Sequence, residues 1–102
     1  MEIEDGIIKP GSPAGDFLGL TKERFSGDSY LWKSGKYVWV SNIESKIKGV
    51  GYLRNLFETI EANKYQIVVP TPMRRMQEIL EKNGFGPFRD SHTGCEVWLR
   101  EE

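Results

Sequence analysis

The chain has 102 residues, of which 38% are hydrophobic and 28% charged, and its formal net charge is -1. This length suits one domain spanning residues 1–102, since domains most often contain about 100 to 150 residues. A charge so near zero gives no basic footprint for wrapping nucleic acid, which disfavours a nucleic-acid partner. Because Cys95 is the only cysteine, an internal disulfide and a cysteine-rich zinc site are excluded, and no metal site is predicted.

The first 29 residues are rich in glycine and proline, which predicts an irregular N-terminal arm. Ile7 and Ile8 are predicted to form a short strand. Residues 1–6 carry three carboxylates and no apolar segment, which argues against a secretory signal. No stretch reaches the roughly 20 apolar residues of a membrane span, so a soluble cytoplasmic protein is expected. Four apolar residues are predicted to anchor the arm on the core: Phe17, Leu18, Leu20 and Phe25.

A hairpin is predicted next, with strands at residues 30–33 and 36–43 joined by a turn at Ser34-Gly35. Period-two alternation places Tyr37 and Trp39 on one face and Val38 and Val40 on the other.

An amphipathic helix is predicted between residues 50 and 62, where apolar residues recur at the spacing of one buried helical face. The β-rich segment 65–69 reads as a buried strand, which makes strand, helix and strand a parallel crossover unit. The predicted buried residues of the helix are Leu53, Leu56, Phe57 and Ile60, and Arg54 is among the residues predicted on its solvent side.

Thr71 followed by Pro72 predicts the start of a second helix, which Gly84 ends. A second hairpin is predicted from residues 86–90 and 95–100, with a turn at residues 91–94. The whole pattern predicts a mixed α/β domain with a central sheet.

The segment Lys46-Ile47-Lys48-Gly49-Val50-Gly51 lies where a strand ends and a helix begins. A helix N-terminus carries unpaired N–H groups and about half a positive charge, so it favours an anion. Glycines at 49 and 51 lack the Cβ atoms that would hold a phosphate away from those amides. The alternative, that these glycines serve only a sharp turn, remains open.

This segment resembles the signature of the GNAT superfamily of N-acetyltransferases: Gln or Arg, two residues, Gly, one residue, then Gly or Ala. Lys46 stands at the Gln/Arg position, and Gly49 and Gly51 stand at the glycine positions. The resemblance includes the surrounding strand-helix-strand-helix-hairpin order and the Gly84-Phe85 pair, and covers roughly residues 30–100. It implies a GNAT-like sheet in a small or N-terminally truncated member.

The resemblance also implies acetyl-CoA as the cofactor. In the family, the strand before the loop separates from its neighbour and pairs with the pantetheine arm, which would place Ser41, Asn42 and Ile43 along that arm. The pyrophosphate-binding residues implied here are Lys46, Lys48, Gly49, Val50, Gly51 and Tyr52. Gly51→Glu is therefore expected to abolish CoA binding in a folded domain, unless Gly51 has a positive φ.

Three departures concern catalysis. The family often has an asparagine where this chain has Met73, and a tyrosine acid where it has Leu80. Neither side chain can donate a useful proton. The two acceptor-side helices that usually precede the hairpin are also missing from the predicted elements.

Other candidate residues have simpler interpretations. Glu44 could act as a general base, although a solvated loop carboxylate is the simpler reading. His92 is interpreted as a turn residue and Cys95 as an inert core thiol. Arg74 and Arg75 could reach a phosphate of the cofactor or form a solvated helix face. An aromatic set on the strands suits core packing or a partner surface: Tyr30, Trp32, Tyr37, Trp39 and Trp98.

Three hypotheses follow. The first is a small acyltransferase that moves an acetyl group from acetyl-CoA to a small-molecule or protein amine. The second is a non-catalytic, GNAT-derived protein-binding module, with or without bound CoA. The third is a protein without a cofactor. A homodimer is compatible with each of them.

Overall fold

The computed structural model of the chain describes residues 3–47, 49–70, 72, 74–89, 94 and 96–100. These residues form an α/β fold with three helices and one six-stranded sheet. Among them, no helix is both long enough and apolar enough to cross a membrane. The elements in chain order are β1 (Gly6–Ile8), α1 (Pro13–Leu18), β2 (Tyr30–Ser34), β3 (Tyr37–Asn42), α2 (Tyr52–Ala62), β4 (Gln66–Pro70), α3 (Arg74–Lys82), β5 (Phe85–Arg89) and β6 (Glu96–Arg100).

The six strands lie in the order β1-β2-β3-β4-β6-β5. β3 and β4 are parallel, and the other four neighbouring pairs are antiparallel. α2 is thus the crossover helix between parallel strands, as its apolar periodicity and the strand after it predicted. The predicted mixed α/β sheet is confirmed.

One face of the sheet carries the core. Val38 and Val40 of β3, Ile67 and Val69 of β4, and Trp98 of β6 belong to a single buried cluster. The same cluster contains the buried residues of all three helices: Leu18 of α1, Leu56, Phe57 and Ile60 of α2, and Leu80 of α3. The helices therefore pack against this one face. The predicted buried face of α2 is confirmed, except that Leu53 is only half-buried.

The opposite face of the sheet, termed here the open face, contributes nothing to that cluster. Paired residues share a face, so the strand register defines its members. On the open face, Val68 and Val97 are buried, whereas Trp32 and Tyr37 are exposed, so the core interpretation is wrong for those two aromatic residues. The members are Ile7, Trp32, Ser34, Tyr37, Trp39, Gln66, Val68, Pro70, Gly86, Phe88, Val97 and Leu99.

The N-terminal arm contains β1 and the six-residue α1, which begins at an N-cap serine, Ser12, followed by Pro13. The predicted strand at Ile7 and Ile8 is confirmed. Leu18, Leu20 and Phe25 are fully buried, as expected of anchors, but Phe17 is exposed on α1.

An ion pair ties the arm to the first hairpin. Lys33, buried at the end of β2, donates from Nζ to Asp5 Oδ1 at 2.7 Å, and the Gly35 N–H donates to the same oxygen at 3.0 Å. The Lys33 ammonium also lies 5.6 Å from the centre of the Tyr65 ring. These two hydrogen bonds hold the pKa of the Asp5 carboxyl below its ordinary value of 3.8, and the bond from Lys33 has the larger effect.

Asp5→Asn should therefore destabilise the protein at neutral pH and lose that effect in acid. A carboxyl whose pKa is depressed by folding adds stability above its unfolded pKa, and this is lost as pH falls through the folded pKa. The melting-temperature difference between wild type and Asp5→Asn should shrink as pH drops below about 4. A difference that stays constant between neutral pH and strongly acidic pH would contradict the role given to this ion pair.

The element boundaries differ from the predicted ones by one or two residues. β4 ends at Pro70, and the hairpin turn lies at Gly35-Lys36, one residue later than predicted. Trp98 faces the core cluster, so Val97 and Leu99 point to the open face. The interpretations of Thr71, Met73, His92 and Cys95 fall outside the described residues.

Candidate functional site

A cleft opens where β3 and β4 stop pairing. Their parallel register covers Tyr37–Trp39 and Gln66–Val68, whereas β3 continues to Asn42 and β4 to Pro70. Beyond Trp39 and Val68 the two strands therefore leave backbone groups without a strand partner between them. A cavity of about 570 Å³ lies there. This is within the usual size range of small-molecule sites, about 300 to 1,000 Å³.

The cleft is walled by the ends of the two strands, the loop after β3, and the N-terminal turns of α2 and α3. These walls are largely apolar, with backbone and a few charged side chains at the rim. The lining residues are Val40, Ser41, Asn42, Ile43, Glu44, Ser45, Ile47, Gly49, Gly51, Tyr52, Leu53, Arg54, Val69, Pro70, Pro72, Arg75, Met76 and Ile79.

Both glycines of the loop have left-handed backbone conformations, with φ of 81° at Gly49 and 85° at Gly51. A side chain at either position would be strained, even though a Cβ there would meet no atom within 4 Å. The turn alone thus requires both glycines, which agrees with the simpler reading of the pattern. The open space around them also leaves room for a ligand, and Gly51→Glu is unsuitable as a binding probe because it would strain the turn.

The N-terminus of α2 faces the cleft without a side-chain cap. Gly51 occupies the N-cap position, no described side chain caps the helix there, and its first turn contains no acidic residue. In contrast, α1 begins at Ser12, whose Oγ accepts a hydrogen bond from Gly15 N at 3.0 Å. The first N–H groups of a helix need partners outside the helix. At α2 the residues of the first turn line the cleft, where an anion could accept from these N–H groups.

The loop between β3 and α2 is anchored on the side away from the cleft. Lys46 N donates to Arg24 O at 2.7 Å, and Glu44 N donates to Ser29 Oγ at 2.9 Å. Ser26 N donates to Glu44 O at 2.9 Å. These bonds hold the cleft wall against residues 24–29, so the N-terminal arm positions the loop.

Two arginines contribute positive charge to the cleft. Arg54 lies in the first turn of α2, and its exposed side chain pairs with Glu58 at 3.1 Å. Arg75 lies in the first turn of α3, across the cleft from α2. Arg54 was predicted to face solvent only, and sequence periodicity could not place it at a cleft because its position depends on where β3 and β4 separate. Arg74 is exposed and does not line the cleft.

The residues predicted from the resemblance are partly brought together here. Ser41, Asn42, Ile43, Gly49, Gly51 and Tyr52 all line the cleft. Lys46 and Val50 are exposed beside it without lining it, and Lys48 lies outside the described residues. The Asn42 side chain is engaged elsewhere, because its Nδ2 donates to Asp28 O at 2.7 Å. The Asn42 backbone and its Oδ1 acceptor remain available to a ligand.

Among the described residues that line the cleft, few could act as a general acid. Leu80 is fully buried and belongs to the core cluster, while Met76 and Ile79 of α3 form an apolar wall. Tyr52 is the one tyrosine among the described lining residues, and its ring lies 5.2 Å from the Arg24 guanidinium carbon. Glu44 lies at the rim and is exposed. The described residues contain no group of three His, Cys, Asp or Glu side chains that could hold a metal ion.

The site is thus an apolar cleft between separating parallel strands, and its lining includes an uncapped helix N-terminus and two arginines. Such a site suits a long ligand with an anionic end and an uncharged arm. Comparisons with protein-family models, with curated protein sequences and with solved structures found no match to this chain.

Proposed function

We propose that this chain is a small GNAT-type acyltransferase that binds acetyl-CoA in the cleft and transfers the acetyl group to an amine. The observation that carries the proposal is the cleft of about 570 Å³ between the unpaired ends of β3 and β4, which leads to the uncapped N-terminus of α2. Its two ends match the two chemically different parts of coenzyme A.

The pyrophosphate would lie against the first turn of α2. Backbone N–H groups there lack intrahelical partners, and the helix dipole favours negative charge at that end. Charge-assisted hydrogen bonds from Arg54 and Arg75 would add to this attraction. The left-handed Gly49 and Gly51 keep Cβ atoms away from the phosphates.

The pantetheine arm would run along the end of β3. It is an extended chain with two amide groups, so it can take the place of a neighbouring strand and pair with backbone groups that β4 leaves free. Residues 41–43 provide that backbone and line the cleft. Apolar contacts with Val69 and Met76 would then hold the arm in the cleft.

In the transfer step, the amine nitrogen attacks the thioester carbonyl carbon, the C–S bond breaks, and the departing thiolate takes up a proton. The amine loses a proton to solvent or to Glu44. Backbone N–H groups of β3 would polarise the carbonyl, and positioning would supply most of the acceleration. Because Leu80 cannot protonate the thiolate, water must do so, and we expect slow turnover.

Tyr52 is expected to contribute contact rather than acid catalysis. It lies in the first turn of α2, and the proposed binding mode puts the pyrophosphate there and the thioester further along β3. Tyr52→Phe should therefore leave both CoA affinity and the acetyl-transfer rate within about tenfold of wild type. A rate loss of about a hundredfold or more, the usual effect of removing a general acid, would identify Tyr52 as the acid.

A second candidate function is a protein-binding module that retains CoA or only the fold. One observation that favours it is the lack of an acid: Leu80, at the position of the family's tyrosine, is buried in the core, and Met76 and Ile79 form an apolar wall of the cleft. The other is the exposure of aromatic residues on the open face.

Two measurements on the purified protein distinguish these functions. Native mass spectrometry would detect co-purifying CoA, and thiol release from acetyl-CoA with a panel of amines would detect turnover. Ligand with turnover supports the acyltransferase, and ligand without turnover supports the binding module. The absence of both co-purifying CoA and turnover would exclude the cofactor assignment.

A further inference from the structure

The open face has the composition of a buried surface. None of its twelve residues is Asp, Glu, Lys, Arg or His, although the protein as a whole is 28% charged. Lys33, which lies between Trp32 and Ser34 on β2, points to the other face and pairs with Asp5. An antiparallel sheet normally places polar residues on a face that stays in water. A face without charge across six strands is therefore unusual for a surface in contact with solvent.

Large apolar side chains are exposed on this face. Ile7 is 57% exposed, Trp32 46%, and Tyr37 and Phe88 39% each. They come from four different strands, so the exposure extends across the sheet from β1 to β5. All three helices pack against the opposite face and cannot cover these residues.

The sheet edges are less suited to association than this face. β1 is an edge strand of only three residues. The other edge strand, β5, contains Pro87, which has no N–H to donate to an added strand. Edge-to-edge pairing is thus restricted at both ends, while the open face has no such protection.

We propose that the open face is a self-association surface, on which a second copy of this chain packs face to face. An uncharged face is complementary to itself, because a two-fold axis brings identical residues together without like-charge repulsion. A charged partner would leave its own charges buried and unpaired against it, which is costly. The formal net charge of -1 adds little repulsion between two copies.

The area sets the strength of this dimer. Five inter-strand spacings of about 4.8 Å by five residues of about 3.3 Å give a face on the order of 400 Å². A standard specific interface covers about 800 Å² per partner. We therefore expect a weak dimer that forms in the micromolar range and dissociates on dilution. Pro70 belongs to this face and also lines the cleft, so the partner would lie next to the cleft opening.

Sedimentation velocity over a concentration series tests the proposal with a matched pair of variants. Phe88→Lys places a charge on the open face, and Phe17→Lys places the same charge on α1, where the phenylalanine is almost equally exposed, 38% against 39%. Phe88→Lys and Trp32→Lys should each weaken dimerisation at least tenfold. Phe17→Lys should leave it unchanged.

Two results would overturn the proposal: a wild-type protein that stays monomeric up to about 1 mM, or a dimer that survives both open-face substitutions. If a variant fails to fold, oxidative footprinting of the wild-type protein replaces it. Oxidation of Trp32 should fall as protein concentration rises while that of Phe17 stays constant. Equal changes in the oxidation of Trp32 and Phe17 would also contradict the proposal. So would binding of a different protein to the open face by a chain that does not associate with itself.

Discussion

Arg54→Glu is expected to weaken CoA binding about tenfold to a hundredfold, which corresponds to roughly 1.4 to 2.8 kcal/mol. The change replaces a cation with a carboxylate in the first turn of α2, at the end of the cleft where the pyrophosphate would lie. Attraction to the phosphates is replaced by repulsion. Calorimetric titration of each protein with CoA measures the difference.

The fold should tolerate this substitution. A carboxylate near a helix N-terminus is favourable by about 0.3 to 1 kcal/mol. The loss of the exposed Arg54–Glu58 pair and its replacement by like-charge repulsion together cost about 0.5 to 1 kcal/mol. Because these terms are of similar size and opposite sign, the melting temperature should change little. This makes Arg54→Glu a better probe of the loop than Gly51→Glu, which acts on a left-handed residue.

Arg74→Glu is the matched control. It makes the same charge change at another exposed arginine in the first turn of a helix, but Arg74 does not line the cleft. Its CoA affinity should stay within about threefold of wild type, since an exposed charge that makes no contact in the cleft acts on the ligand only through solvent, which weakens and screens it. Equal losses in the two variants would mean that the effect of Arg54→Glu is a general charge effect and not a contact in the cleft.

Phe57→Ala is expected to lower the free energy of unfolding by about 3 to 5 kcal/mol. Phe57 is buried in the core, and its ring centre lies 5.5 Å from that of Phe85. The contact joins α2 to the start of β5, so its loss leaves a cavity between the crossover helix and the sheet. Domains of this size are stabilised by only about 5 to 15 kcal/mol in total. Urea denaturation measures the change.

The control for the core is Phe17→Ala, which removes an exposed phenylalanine from α1. It should cost less than about 1 kcal/mol, as surface substitutions usually do. A loss below 1 kcal/mol for Phe57→Ala as well would contradict the packing of α2 against β5.

The local elements of the fold could be predicted from the sequence because each has its own periodicity. Leu56, Phe57 and Ile60 recur at helical spacing, and this marked both α2 and its buried face. Alternation in residues 37–42 identified β3 and separated Val38 and Val40 from Tyr37 and Trp39. Alternation cannot tell which face the helices cover, however. The covered face depends on the side of the sheet on which the crossover connections through α2 and α3 both lie. The exposure of Trp32 and Tyr37 was therefore not predicted.

The candidate site was predicted only where it is local in sequence. The loop glycines and residues 41–43 were identified because they adjoin one strand-to-helix junction. Val69 and Met76 were not assigned to a site, and Arg75 was named only as a possible phosphate contact, because these residues reach the cleft from β4 and α3. Their proximity arises from the point at which β3 and β4 stop pairing, and no sequence pattern specifies that point.

The central claim is that the cleft binds coenzyme A, and calorimetric titration of CoA into the wild-type protein tests it most directly. We expect saturable binding with one CoA per chain, weakened in Arg54→Glu and retained in Arg74→Glu. Absence of binding in the folded wild-type protein, or binding that Arg54→Glu leaves unchanged, would contradict it. The acyltransferase proposal would then fall, while the six-stranded sheet and its cleft would remain without an assigned ligand.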